Sequence, residues 1–176
     1  MIGTRLSTLL LAAWLGAGVL FAAVVAPAAF AVLPSRLLAG ALVGRVLPTL
    51  FIAGMVIGAL GLVIDRGGTA MLPNVRRLAL AAIVVACAIA QFGIAPRIER
   101  ARGQIVGPIE QLSRDDPRRI AFGRLHAMSV GWLGLAMLAA ATAVVLANLA
   151  PRTAGPVRAD AVPSRRTEPL ASPHAR

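Results

Sequence analysis

Four long apolar runs constrain this chain more than any other feature of its sequence. They extend from Leu6 to Val32, from about Leu47 to Ile64, from Leu78 to Ala95 and from about Leu125 to Leu149. A hydrocarbon core about 30 Å thick needs roughly 20 apolar residues per crossing. In lipid such a run has to be a helix, because a helix satisfies its backbone hydrogen bonds within one segment. The sequence therefore predicts an all-α integral membrane protein, a four-helix bundle formed by residues 1–150.

Composition and charge agree with a lipid environment. Hydrophobic residues make up 58% of the 176 residues, whereas a soluble domain has about 45–50%. The net charge of +11 comes from arginines that flank the apolar runs or lie in the C-terminal tail, which is typical of membrane-flanking charge. We therefore expect the lipid bilayer as partner and no nucleic acid.

The first run has an alternative interpretation as a secretory signal. Arg5, the apolar stretch and the small residues of APAAFA resemble such a signal with its cleavage site. A signal core has about 7–15 apolar residues, and this run is far longer. We therefore expect a retained helix at residues 6–32.

The other helix boundaries are marked by prolines. Pro34 and Pro48 bracket SRLLAGALVGR, which is either a short interfacial helix or the first half of a kinked second helix. Asp116 and Pro117 form an N-cap and first-turn pair, so the fourth helix is predicted over residues 117–149. An amphipathic connector is expected from Arg97 to Asp116, and a disordered basic tail over residues 151–176.

The orientation follows only weakly from the charges. Four crossings put both termini on one side, and the arginines divide equally between the two sides. Arg5, which has no acidic residue nearby, breaks the tie in favour of cytoplasmic termini. The arginine-only, alanine-rich composition is typical of a bacterial protein, so we expect the bacterial inner membrane.

Small residues indicate where the helices pack. Gly54, Gly58 and Gly61 follow an i, i+4, i+7 pattern on the second helix, and Gly16 and Pro27 lie on one side of the first helix. Close approach of backbones is what holds helices together in lipid. The pattern predicts packing within the bundle; the alternatives are a homo-oligomer or a contact with another membrane protein.

Polar side chains gather at one end of the predicted bundle. Phe122, His126 and Ser129 share one face of the fourth helix. At the same membrane level lie Pro27, Arg45, Thr49 and Gln91, whereas the other end offers only scattered residues such as Ser7, Thr8 and Asn148. Polar groups near the membrane normally face the bundle interior or water. The sequence therefore predicts a polar pocket around His126.

Three interpretations of this cluster stay open: hydrogen bonds that fix helix rotation, a solute pocket, and a haem or copper ligand at His126. Metal is disfavoured because a zinc site needs three or four ligands, while the only other histidine, His174, is in the tail. No carboxylate lies in the apolar runs to complete a Ser-His-acid triad. We therefore predict no catalytic residue and no cofactor.

Several motifs together resemble a bacterial four-helix membrane family of unknown function. They are WLGAGVLFAAVVAPAAF, LLAGALVGRVLPTLF, APRI and FGRLHAMS, in that order between Leu6 and Leu149. The animal relatives of that family are similar to transmembrane protein 205, and at a distance it resembles a copper-resistance-D-like superfamily. The resemblance implies the four-helix fold and a membrane location, and keeps the haem or copper alternative open. Thr49 stands where relatives often have tyrosine, which puts an essential role for an aromatic hydroxyl there in doubt.

The favoured function is binding or passage of a small solute, more as a binding protein than as an enzyme. The pocket candidates are His126, Ser129, Gln91, Arg45, Thr49 and Phe122. The alternatives are a haem- or copper-associated redox protein with His126 as ligand, and a structural subunit whose Gly54 and Gly58 face binds a membrane protein.

Overall fold

The computed structural model describes residues 2–65, 71–105, 107 and 109–149. This part of the chain is helical and contains no strand. Its elements are α1 (Ile2–Leu20), a π-helical turn (Phe21–Val25), α2 (Ala26–Val32), α3 (Arg36–Ile64), α4 (Met71–Ala88), a second π-helical turn (Ile89–Ile94), α5 (Ala95–Gly103), a 3-10 turn (Ile109–Gln111) and α6 (Pro117–Leu149). The predicted tail lies outside the described residues.

These elements form four rods that are long and apolar enough to cross a membrane. We call them span 1 (Gly3–Val32), span 2 (Arg36–Ile64), span 3 (Met71–Gly103) and span 4 (Pro117–Leu149). Spans 3 and 4 have 33 residues each, a length of about 50 Å at 1.5 Å per residue. That exceeds a hydrocarbon core of about 30 Å, so their ends reach into the headgroup layer. The chain is a multi-pass, all-α membrane protein.

Span 2 begins at Arg36 rather than near Leu47 and continues through Pro48. The Ser35 hydroxyl caps its first turn by accepting a hydrogen bond from the Leu38 N–H at 3.3 Å. The SRLLAGALVGR segment is therefore the first half of this span and not a separate interfacial helix. Proline is tolerated inside membrane helices, where neighbouring helices satisfy the freed carbonyl.

Spans 1 and 3 each contain a π-helical turn immediately before a proline region. In span 1 the Ala26 N–H bonds to the Phe21 carbonyl, five residues back, and Pro27 follows. Pro96 follows the second π-helical turn in the same way. Because proline lacks an N–H and its ring crowds the carbonyl four residues earlier, a wider turn lets the helix continue. Span 3 therefore runs on to Gly103 instead of ending at Ala95, and the predicted connector starts as helix α5.

Span 4 begins at Pro117, where the Asp-Pro pair predicts it. Asp116 Oδ1 accepts a hydrogen bond from the Arg118 N–H at 2.8 Å, and Asp116 Oδ2 lies 2.8 Å from Arg118 Nη2. The side-chain hydrogen bond from Arg118 lowers the pKa of Asp116. The cap and the ion pair together fix the start of this helix in the headgroup layer.

The glycines of span 2 form the groove that brings the spans together. A Cβ on Gly54 would lie 2.7 Å from Trp14 Cζ2, and one on Gly58 would lie 3.3 Å from the Leu80 carbonyl oxygen. A Cβ on Gly61 would lie 3.1 Å from the Ser7 hydroxyl. This face is filled by spans 1 and 3 of the same chain, so it is not free to meet a second copy.

The small residues of span 1 that were predicted to pack against other helices do not do so. Gly16 is exposed, and a Cβ added there would meet nothing within 4 Å; Pro27 is exposed too. Gly18 packs instead, against Met137 of span 4. The indole of Trp14 fixes the contact with span 2, since Nε1 donates to the Leu50 carbonyl at 2.9 Å. The apolar pattern could not distinguish these two faces because both are made of small or aliphatic residues.

Candidate functional site

Two adjoining cavities open at the end of the bundle where span 2 begins, span 3 ends and span 4 begins. The first has a volume of about 280 Å³ and is lined by residues of all four spans, among them Phe30, Gly40, Arg102 and His126. The second has a volume of about 750 Å³ and lies between spans 2 and 3. Three residues line both cavities: Gly44, Glu99 and Arg102.

The six pocket candidates divide between these cavities. Phe122, His126 and Ser129 line the first one. The others, Arg45, Thr49 and Gln91, line the second one. The structure therefore brings the six side chains to the same end of the bundle in two neighbouring groups. Glu99 and Arg102, which line both cavities, lie between the two groups.

A stack of three side chains forms one wall of the first cavity. The guanidinium carbon of Arg102 lies 5.9 Å from the centroid of the Phe122 ring. The rings of Phe122 and His126 are nearly parallel, with an interplanar angle of 3° and centroids 6.4 Å apart. Arginine is attracted to the face of an aromatic ring, and offset aromatic rings attract each other as well. The stack holds a cation and an imidazole beside the same space.

Sequence reasoning missed Arg102, which it placed in a surface connector. A Cβ on Gly40 would lie 2.9 Å from Arg102 Nη2, so the guanidinium rests against span 2 where that span has no side chain. The pairing of Gly40 with an arginine about sixty positions later leaves no periodic signal. Only Phe122 and His126, which are four residues apart on one helix, could be placed together from the sequence.

The inner ends of the cavities carry uncharged polar groups. Ser129 is 3% exposed and lines the first cavity, whereas His126 is exposed. The Gln91 side chain lies in the π-helical turn of span 3, and its Oε1 is buried without a hydrogen-bond partner among the described residues. A buried acceptor without a donor is destabilising by about 1–3 kcal/mol. Since Gln91 lines the second cavity, a donor in that space would satisfy it.

The opposite end of the bundle is not as poor in polar groups as predicted. Arg76 is 4% exposed there, and its Nη1 is paired with the Asp65 carboxylate. Its Nε donates to the Ala143 carbonyl at 3.3 Å, and Arg77 donates to the Asp65 carbonyl. Ser7 is 2% exposed nearby, beside Gly61. The expectation was wrong because these charges next to an apolar run were interpreted as exposed flanks, whereas they join spans 2, 3 and 4.

Few metal-ligating side chains lie near His126 in the described part of the chain. Within the described ranges, no three His, Cys, Asp or Glu side chains come together. Cys87 is fully buried, and its Sγ would lie 2.8 Å from a Cβ on Gly54 in the core, away from both cavities. Among the described residues that line the first cavity, His126 is the one imidazole.

Comparison with known proteins identifies a family. Residues 9–106 match the family described as Domain of unknown function (DUF4149), which is more than half of the chain. The chain therefore belongs to this family. Neither the curated proteins nor the solved structures contain a match to it. The matched segment includes nearly all of span 1 and the whole of spans 2 and 3, with Arg102, and ends before the helix that carries His126.

Proposed function

We propose that this member of the DUF4149 family binds a small solute in the first cavity. The observation that carries the proposal is the convergence of all four spans on one cavity lined by Arg102, His126 and Ser129. Small-molecule sites in helical bundles lie between helices and combine apolar walls with a few polar groups. This cavity has that composition, with Phe30 and Leu47 beside the polar side chains.

The second cavity adjoins the first and offers the same solute a path between spans 2 and 3. Arg102 and Glu99 line both spaces, so a movement of these two side chains would join them. Beyond them, the unpaired Gln91 Oε1 offers an acceptor in span 3. Passage from one cavity to the other is therefore part of the proposal, with Arg45 and Thr49 on the far wall.

Thiol labelling tests whether the cavity admits a solute. We expect a cysteine at position 129 (Ser129→Cys) to react with a small methanethiosulfonate reagent in the detergent-solubilised full chain. The native Cys87 gives little background because it is fully buried. The rate is measured by mass spectrometry of the intact protein against reagent concentration.

The matched control is Ser7→Cys at the opposite end. Ser7 is 2% exposed and Ser129 is 3% exposed, but only Ser129 lines the first cavity. We expect the cysteine at position 129 to react at least about tenfold faster, which corresponds to about 1.4 kcal/mol. Equal rates would contradict the proposal. A Soret band or stoichiometric copper in the same preparation would also contradict it, because a cofactor would then occupy the site.

We also propose that the protein lies in the bacterial inner membrane with cytoplasmic termini. The support is Arg5, which flanks span 1 without a neighbouring acid, while all the arginines together, Arg5 included, divide equally between the two sides. A distant relation to transmembrane protein 205 and to copper-resistance-D-like proteins belongs to the same proposal and rests on the order of the shared motifs. No copper or haem chemistry is carried over with it.

A further inference from the structure

We infer that the solute of the first cavity is a membrane phospholipid with an anionic headgroup, whose phosphate is held by Arg102. This inference rests on the proposed function, since it names the ligand class of the same cavity. Three features of the cavity support it: its charge, its depth and the preorganised position of the guanidinium.

The charge of the cavity favours an anion. Arg36 and Arg102 line it, and among the described lining residues Glu99 carries the one carboxylate. Among the described side chains, the ion pairs join Arg76 to Asp65 and Arg118 to Asp116, and none involves Arg102. The half-buried guanidinium of Arg102 provides several N–H donors, and phosphate is an acceptor that fits them in pairs.

The depth of the cavity favours an amphiphile over a free ion. Its lining on span 2 extends from Arg36 to Leu47, a rise of about 16 Å along the helix. The charged groups lie at the helix ends, in the headgroup layer, and Val43 and Leu47 lie further towards the membrane centre. Phe30 and Leu37 line the cavity and are also 47% and 49% exposed on the outside of the bundle. An acyl chain can therefore follow the apolar wall while the headgroup stays at Arg102.

The guanidinium is held in place before any ligand binds. It lies over the Phe122 ring on one side and against the bare backbone of Gly40 on the other. An arginine confined in this way loses little side-chain freedom when it binds, which increases affinity. His126, stacked on Phe122, and Ser129 add polar groups at the inner end of the same wall.

Native mass spectrometry of the full chain in an uncharged detergent tests the inference. The probes are phosphatidylglycerol and phosphatidylcholine with identical acyl chains, and inorganic phosphate as competitor. We expect the native protein to retain phosphatidylglycerol about tenfold more tightly than phosphatidylcholine, and Arg102→Gln to remove this preference. Inorganic phosphate should not displace the lipid, because it makes no contact with the apolar wall.

Two further variants keep the test specific. Arg118→Gln removes an arginine at the same end of the bundle that is paired with Asp116 and 49% exposed, and we expect it to keep the preference. Gly40→Val moves the guanidinium without removing its charge, and we expect a partial loss.

The inference is overturned if Arg102→Gln keeps the preference, if Arg118→Gln loses it equally, or if inorganic phosphate displaces the lipid. Labelling of Ser129→Cys in these variants separates the two proposals. If the cysteine still reacts when the lipid preference is absent, the cavity admits solutes of another class and only the ligand assignment fails. If it does not react in any variant, the proposed function itself fails.

Discussion

Replacing Asp65 by alanine is expected to destabilise the bundle by about 3–5 kcal/mol. The change leaves the guanidinium of Arg76, which is 4% exposed, without its carboxylate partner. The remaining hydrogen bond from Nε to the Ala143 carbonyl does not neutralise this charge. The free energy of unfolding, measured by denaturation in mixed micelles, checks the prediction.

Two variants control for other effects of that substitution. Asp116→Ala breaks the other ion pair, in which the Arg118 side chain is 49% exposed, and we expect a much smaller loss because exposed pairs contribute little. The double variant Asp65→Leu with Arg76→Leu removes both charges and should recover most of the stability. A single variant no less stable than the native chain would show that the pair does not join the spans.

Replacing Gly54 by leucine is expected to destabilise the protein by roughly 2–5 kcal/mol, the sum of overpacking and a lost buried hydrogen bond. The first added carbon would already lie 2.7 Å from Trp14 Cζ2 and 2.8 Å from Cys87 Sγ. The indole would have to leave the groove and give up its hydrogen bond to the Leu50 carbonyl. Thermal unfolding followed by tryptophan fluorescence measures both the loss of stability and the displacement of the Trp14 indole.

The matched control is Gly16→Leu on span 1. Gly16 is exposed, and a Cβ there meets nothing within 4 Å, so the new side chain would point into lipid. Since leucine also has a higher helix propensity than glycine, we expect no loss of stability. If both glycine substitutions were equally harmful, the groove on span 2 would not be the packing surface.

The sequence was sufficient for the parts of the fold that depend on local pattern. Run length predicts four spans, the Asp116-Pro117 pair predicts the start of span 4, and glycine spacing predicts the packed face of span 2. For span 2 the structure has the continuous helix through Pro48, one of the two predicted alternatives; the length of span 3 was underestimated, because its helix was predicted to end at Ala95, before Pro96. The wider turn before Pro96 lets span 3 continue through that position.

The candidate site was predictable only in part. The shared face of Phe122, His126 and Ser129 follows from helix periodicity. The contact between Arg102 and Phe122 depends on how spans 3 and 4 pack, and no single-helix pattern contains that information. The same limit explains the Asp65–Arg76 pair, although two opposite charges 11 positions apart between two apolar runs were a usable signal.

The measurement that tests the account most directly is the sidedness of three single cysteines, at Arg5→Cys, Asn74→Cys and Gln104→Cys. All three positions are exposed, and the native Cys87 is fully buried. With a membrane-impermeant maleimide, applied to right-side-out and to inverted vesicles, four crossings predict that positions 5 and 74 react from one side and position 104 from the other. Reaction of all three positions from the same side would contradict the four-span fold and with it the cavity.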